Sequence, residues 1–95
     1  MANGSEDLET ITIYDILMRA NIDVTIAKIS DPEDEEDQDT LSVNMMMGSK
    51  IEAAANFEDI DENDYRVIIL PGGGNGPKIM VQSEKLKVVL ESFKG

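Results

Sequence analysis

Ninety-five residues with a formal net charge of −12 describe one small acidic domain with room for a modest core. The absence of Cys and His excludes disulfides, thiolate metal sites, cysteine catalysis and an imidazole base from these residues. Eight Lys and Arg against twenty Asp and Glu exclude a basic face for nucleic acid or an anionic membrane. No apolar run has the length of a membrane span, the amino end is polar and acidic rather than signal-like, and the expected compartment is cytoplasmic.

In chain order, Ser5 or Asp7 is positioned to cap a helix running to about Ala20. At ~100° per residue, Ile13, Ile16, Leu17 and Ala20 share one face and Leu8, Ile11, Tyr14 and Met18 nearly the opposite one. A helix apolar on both sides needs two neighbours, a sheet and either a further layer or a partner subunit. Asn21 suits a left-handed helix end. Asp23 to Ile29 alternates and is rich in β-branched residues, which predicts a strand.

Ser30 to Thr40 holds seven of the twenty acidic residues and reads as a solvated acidic loop. Calcium binding is the sharper alternative, but the run lacks EF-hand ligand spacing and the turn glycine. Leu41–Met46 and Lys50–Ala54 flank Gly48-Ser49 as a hairpin. Met45, Met46 and Met47 read as core and edge filler, since alternate strand residues face opposite ways and a soft-metal site wants spaced thioethers. An acidic connection anchored by Phe57 and Ile60 leads to Tyr65–Leu70, a continuously apolar run suited to a strand buried on both faces. Gly76 to Val81 predicts a short helical turn. Ser83 then caps a last helix with Leu86, Val89, Leu90 and Phe93 inward, and Lys85, Lys87, Glu91 and Lys94 toward water, ended by Gly95. The order of helix, strand, hairpin, strand and helix is α/β, with a thin sheet for its helices to cover.

Two features point to a site. Val67-Ile68-Ile69-Leu70 ends in Pro71 and three glycines, Gly72, Gly73 and Gly74. Proline ends a strand, glycines permit positive φ and close backbone approach, and ligands in open α/β folds sit beyond the carboxyl ends of strands. Glu9 falls in the middle of the stripe expected to face the sheet. It is either a first-turn acid favoured by the helix dipole or a functional carboxyl group, whose burial would keep it protonated. A phosphate or nucleotide reading of Gly72–Pro77 is weaker, because the stretch ends in neither the P-loop Lys-Ser/Thr nor the last glycine of the dinucleotide fingerprint.

Gly4-Ser5-Glu6-Asp7-Leu8-Glu9-Thr10, the helix end Leu17-Met18-Arg19-Ala20-Asn21 with Ile22-Asp23-Val24-Thr25-Ile26-Ala27, and Leu70-Pro71-Gly72-Gly73 follow one another at a spacing that resembles the ThiJ/PfpI superfamily. The resemblance is nearest to the branch of the parkinsonism-associated deglycase and covers nearly the whole chain. It implies a flavodoxin-like, doubly wound, mostly parallel sheet, present here as a partial domain over 1–95 that lacks the first strand and the carboxyl-terminal half. It also implies a parent protein that is a cysteine-dependent deglycase or glyoxalase-type stress-response enzyme acting on small carbonyl or glycated substrates without a cofactor or metal. The family's carboxyl group beside the reactive thiolate matches Glu9, and its oxyanion-pocket amides match Gly72 and Gly73, with Gly73 the preferred donor. The family's homodimer interface would use the first helix, through Leu8, Ile11, Tyr14 and Met18. The nucleophile elbow and the family's histidine have no counterpart here, so this chain alone is expected to be inactive. The alternative is a non-enzymatic, dimeric interaction or regulatory module.

Overall fold

The computed structural model describes residues 1–93. Three expectations, an inward Phe93 side chain, an outward Lys94 and the helix stop at Gly95, lie outside the described residues. Helix α1 spans Asp7–Arg19. Its cap is neither Ser5 nor Asp7 but Glu6, whose carboxylate accepts the Glu9 N–H at 2.7 Å, satisfying an amide that the first turn leaves without a helical partner. The helix ends as expected, with Asn21 at φ 62°. Ser5 is instead fully buried, its hydroxyl accepting the Ala2 N–H at 3.0 Å.

Strand β1 is short, Ala27–Lys28, and pairs in parallel with β4, Ala55–Asn56. Ile22–Ile26 leads into β1 outside any ladder, so the predicted strand over Asp23–Ile29 is realised only at its far end. Between them lie helix α2, Glu35–Gln38, and the hairpin of β2, Ser42–Asn44, with β3, Lys50–Glu52, which turns at Gly48 with φ 99°. Asp7 clasps that hairpin to the start of α1. Its carboxylate accepts the Met47 N–H at 2.7 Å, the Ser49 N–H at 3.3 Å and the Ser49 hydroxyl. The Ser49 hydroxyl, followed by the Met47 amide, holds the Asp7 carboxyl below its usual range. Met45 is buried in step with Val43 of β2, whereas Met46 and Met47 lie exposed in the turn that follows.

The acidic segment is more than a solvated loop. Asp37 in α2 is buried and faces Lys28, which is fully buried. The Lys28 ammonium donates to Asp37 Oδ1 at 2.7 Å and to the carbonyls of Asp37, Thr40 and Ser42 at 2.8, 2.8 and 3.0 Å. The Asp37 carboxylate also accepts from Asn3 Nδ2 at 2.9 Å and the Asp31 N–H at 2.8 Å. A carboxylate so engaged is a structural anion rather than a free calcium ligand.

Two short 3₁₀ turns, Phe57–Asp59 and Glu62–Asp64, follow β4. Lys85, expected in water, is half-buried. Its ammonium caps the first turn by donating to the carbonyls of Phe57 at 2.8 Å, Glu58 at 3.1 Å and Ile60, and it lies 5.2 Å from the centre of the Phe57 ring. Helices α3, Gly76–Met80, and α4, Glu84–Phe93, close the chain, with Ser83 Oγ accepting the Leu86 N–H at 3.1 Å as predicted. Leu86 and Val89 of α4 join Ala2, Ile29, Phe57, Ile79 and Met80 in the main core, while Met1, Val43, Met45 and Ala53 form a second.

The largest departure concerns Tyr65–Leu70. No strand among the described residues pairs with it. Ile68 packs on the main core, but Val67 is 71% exposed, and Ile69 and Leu70 are exposed as well. Apolar composition suits the run to a covered central strand, yet that burial requires neighbouring strands, and among the described residues neither of its edges is paired. Helix α1 is covered on one side only, and none of its residues is fully buried. Tyr14 sits with Ile13 and Leu17 on the half-buried side, leaving Ile16 and Ala20 exposed beside Leu8, Ile11 and Met18.

The amino terminus is buried against β1. The Met1 ammonium donates to the Ala27 carbonyl at 2.8 Å, and burial pulls its pKa from 8.0 to about 6. Between these values the unfolded chain binds the proton that the folded chain has released, so stability rises with pH across this window. In urea unfolding the gain from pH 6 to 8 should be about 2 kcal/mol, since a pKa unit is worth about 1.4 kcal/mol and each state is half-titrated at one end of this window. Acetylating the Met1 amine should flatten it, and an unchanged profile after acetylation would assign the slope to other groups.

Candidate functional site

Glu9 and the glycine turn meet. Pro71 is buried, and after it the chain doubles back against residues 4–6. The Gly72 N–H donates to Glu9 Oε2 at 2.6 Å, and the Gly72 carbonyl accepts the Glu6 N–H at 2.8 Å. Ser5 and Gly73 form an isolated antiparallel bridge. Gly4, at φ 89°, donates its N–H to the Asn44 carbonyl at 2.8 Å, so the hairpin, the helix start and the turn share one junction.

The glycines make this approach possible at two positions. Gly73 has φ 123°, and a Cβ there would collide with the Gly4 carbonyl oxygen and lie 2.8 Å from the Glu6 nitrogen. At Gly76 a Cβ would lie 2.6 Å from Ser5 Oγ and 2.8 Å from the Ser5 nitrogen. These are backbone and buried neighbours without room to yield. Gly74, between them, has open space around it.

The structure therefore brings Glu9, Gly72 and Gly73 together, with two adjustments. Glu9 is exposed rather than turned into a core. It stands at the open end of a groove, where its carboxylate is reached by solvent and by the turn alike. Gly72 spends its amide on Glu9, whereas the Gly73 amide takes part in neither of the bonds that tie the turn to α1. Chemically, the corner combines a hydrogen-bonded carboxylate with a strand-end turn whose backbone has no side chains to shield it.

The groove behind this corner has a volume of about 560 Å³. It runs between Ile22–Ala27 and Tyr65–Pro71, with Ile13, Tyr14 and Leu17 of α1 and Leu86 and Val89 of α4 among its walls. Sequence reasoning missed it because its walls are stretches that read as buried strands. The Lys28–Asp37 pair was also missed. Its one signal is a lysine in the middle of an apolar, β-branched run.

The sequence matches the model of the DJ-1/PfpI family over residues 1–94. Among curated relatives, it is 32% identical over 91 residues to Protein DJ-1 homolog B of Arabidopsis thaliana, covering 96% of this chain and 19% of that one. It is 32% identical over 95 residues to the Parkinson disease protein 7 homolog of Danio rerio, covering 100% of this chain and 47% of that one. Of solved structures, the VC2308 protein superposes with a TM-score of 0.84 at 30% identity over 97% of this chain and 43% of its own. Oxidized Toxoplasma gondii DJ-1 superposes with a TM-score of 0.83 at 31% identity over 98% of this chain and 46% of its own. The chain belongs to the DJ-1/PfpI family, has part of its flavodoxin-like α/β fold, and spans less than half the length of these relatives.

Proposed function

We propose that the Glu9–Gly72–Gly73 corner is one wall of a thiol-dependent site for small carbonyl compounds or glycated amines, completed by polypeptide that supplies the nucleophile. The observation that carries this reading is the 2.6 Å bond from the Gly72 N–H to Glu9 Oε2, which fixes a carboxyl group of the first helix against the turn at the strand's end. In this reading Glu9 is the partner of an incoming thiolate. The Gly73 amide would face the oxygen of a carbonyl under attack, where a fixed donor stabilises developing negative charge. The chain has no Cys, so the attacking sulfur must come from elsewhere.

The test is complementation. The 95-residue chain is expected to leave methylglyoxal unconsumed. Mixed with a cysteine-bearing carboxyl-terminal half taken from the Danio rerio relative, it should consume it, and Glu9→Ala should lower the restored rate by about a hundredfold. A restored rate indifferent to Glu9→Ala would sink the assignment. Leu8, Ile11, Ile16 and Met18, exposed along α1, favour a second reading in which this helix joins two copies of the chain, with or without catalysis. Tyr14, included in that interface on sequence grounds, points instead toward the groove.

A further inference from the structure

An asparagine followed by glycine is open to attack on its side chain by the next main-chain nitrogen, because glycine carries no Cβ to hinder the approach. The chain has two such pairs, Asn3-Gly4 and Asn75-Gly76. They lie against one another, since a Cβ at Gly4 would stand 2.7 Å from Asn75 Cβ and 3.0 Å from the Gly76 nitrogen. The fold treats them differently.

At Asn3-Gly4 both reacting groups are held. The Asn3 side chain donates from Nδ2 to Asp37 Oδ1 at 2.9 Å, and its Oδ1 accepts the Asn44 N–H at 2.9 Å. The Gly4 N–H, on the would-be nucleophile, donates to the Asn44 carbonyl at 2.8 Å. Attack would break these bonds, one of which belongs to the buried Lys28–Asp37 pair. Asn75-Gly76 has no such restraint. Asn75 is exposed, and its side chain makes no capping bond. Gly76 opens α3, where a first amide has no acceptor within the helix. Turning Asn75 out of its ψ of −24° breaks the 3.1 Å bond from the Ile79 N–H to its carbonyl, at the end of a short helix, where helices fray. Gly74, just before it, has open space around it and lets the chain follow.

We infer that Asn75-Gly76 is a self-modifying site that deamidates without an enzyme, and that the isoaspartate it forms loosens the Glu9–Gly72 corner. The Gly76 nitrogen bonds to Asn75 Cγ, the Asn75 side-chain nitrogen leaves as ammonia with the Gly76 amide proton, and a succinimide ring results. Water then opens the ring. Cleavage between the Gly76 nitrogen and Cγ gives aspartate. Cleavage between that nitrogen and the Asn75 main-chain carbonyl carbon gives isoaspartate. In sum, one water is consumed and one ammonia released. Aspartate keeps the main chain as it was. Isoaspartate adds a methylene to the main chain just before Gly76, where a Cβ would already lie 2.6 Å from Ser5 Oγ and 2.8 Å from the Ser5 nitrogen. Helix α3 must then move off Ser5. Ser5 is bridged to Gly73, next to the Gly72 amide that holds Glu9.

The test ages the 95-residue chain in mildly alkaline buffer. Peptide mass spectrometry reads each asparagine, and chromatography separates isoaspartate from aspartate. In buffer Asn75 should deamidate at least about tenfold faster than Asn3, whose opening must break tertiary bonds. In urea that unfolds the chain the two rates should converge, because both pairs are then equally free. Molecules with isoaspartate at 75 should exchange the Gly72 amide at least about tenfold faster than fresh chain. Asn75→Gln closes the ring poorly, and after the same ageing it should keep slow Gly72 exchange. No deamidation at Asn75 in buffer, a rate at Asn3 equal to or above it, or rates that stay apart in urea would each overturn the inference. So would isoaspartate at 75 with Gly72 exchange unchanged, or aged Asn75→Gln exchanging as fast as aged wild type.

Discussion

Asp37→Ala is expected to lower the unfolding free energy by about 3–5 kcal/mol, the range for breaking a buried ion pair from one side. The reason is what remains. Lys28 has no exposed surface, and its ammonium would keep the carbonyls of Thr40 and Ser42 but lose the one compensating charge. An ordinary domain of this size has about 5–15 kcal/mol in total, so the variant should be mostly folded in buffer yet unfold at far lower urea. Lys28→Met should also destabilise, by stranding the Asp37 carboxylate and freeing buried carbonyls. The double variant should cost less than the sum of the two, because the second substitution removes the charge that the first left alone. Acid titration gives a second reading. Burial pushes the Asp37 carboxyl up, but the hydrogen bonds from Lys28, Asp31 and Asn3 together with the Lys28 charge outweigh it and hold the group below 3.8. A depressed carboxyl contributes stability that is complete above its unfolded value and lost as pH falls through the folded one. Asp37→Asn should remove that part of the acid limb. Loss of less than about 1 kcal/mol in Asp37→Ala, the scale of a surface pair, would show that the cluster is not a buried charge centre.

This pair also shows where sequence reading stops. A run such as Asp31–Asp39 has the same composition whether every acid is solvated or one of them pairs with a lysine nine residues back. Local chemistry was more legible. Asn21 ends α1 with positive φ, Gly48 turns the hairpin and Ser83 caps α4, because each solves a backbone problem that its immediate neighbours define. Tyr65–Leu70 reads as a strand buried on both faces, and the structure leaves it unpaired and mostly exposed. Its exposure depends on what lies along its open edges, which its own residues do not encode. Glu9 is intermediate. Helical spacing places it on the side of Ile13 and Leu17, and the family resemblance assigns it to one site with Gly72 and Gly73, while its bond to the Gly72 amide comes from the structure. Its exposure follows from the open groove, a property of the tertiary structure alone. Lys85 reads as a surface lysine by helical phase, and it is diverted by carbonyls of a 3₁₀ turn far away in sequence.

Gly73→Ala is the second large effect, and it bears on the site. Alanine at φ 123° is strained wherever it occurs, and here its methyl group would also strike the Gly4 carbonyl and approach the Glu6 amide. Both are backbone atoms held by further hydrogen bonds, the Gly4 N–H to Asn44 and the Glu6 N–H to Gly72. The turn cannot move without releasing the start of α1. The expected cost is at least about 3 kcal/mol, strain and overpacking together. Gly74→Ala is the internal control. Its Cβ would meet nothing within 4 Å, and it should change stability by about 0.5 kcal/mol or less. Urea unfolding of the two variants separates a turn that merely likes glycine from a junction that requires one at a single position. Equal stabilities would refute the interlock. With the expected difference, Gly73→Ala should also lose the Gly72–Glu9 bond, visible as faster exchange of the Gly72 amide, while Gly74→Ala keeps it. The absence of a side chain at Gly73 lets the turn close on α1, and that closure holds the Glu9 carboxylate against the strand's end. Fold and site thus share one steric constraint, and a substitution at Gly73 cannot remove one without the other.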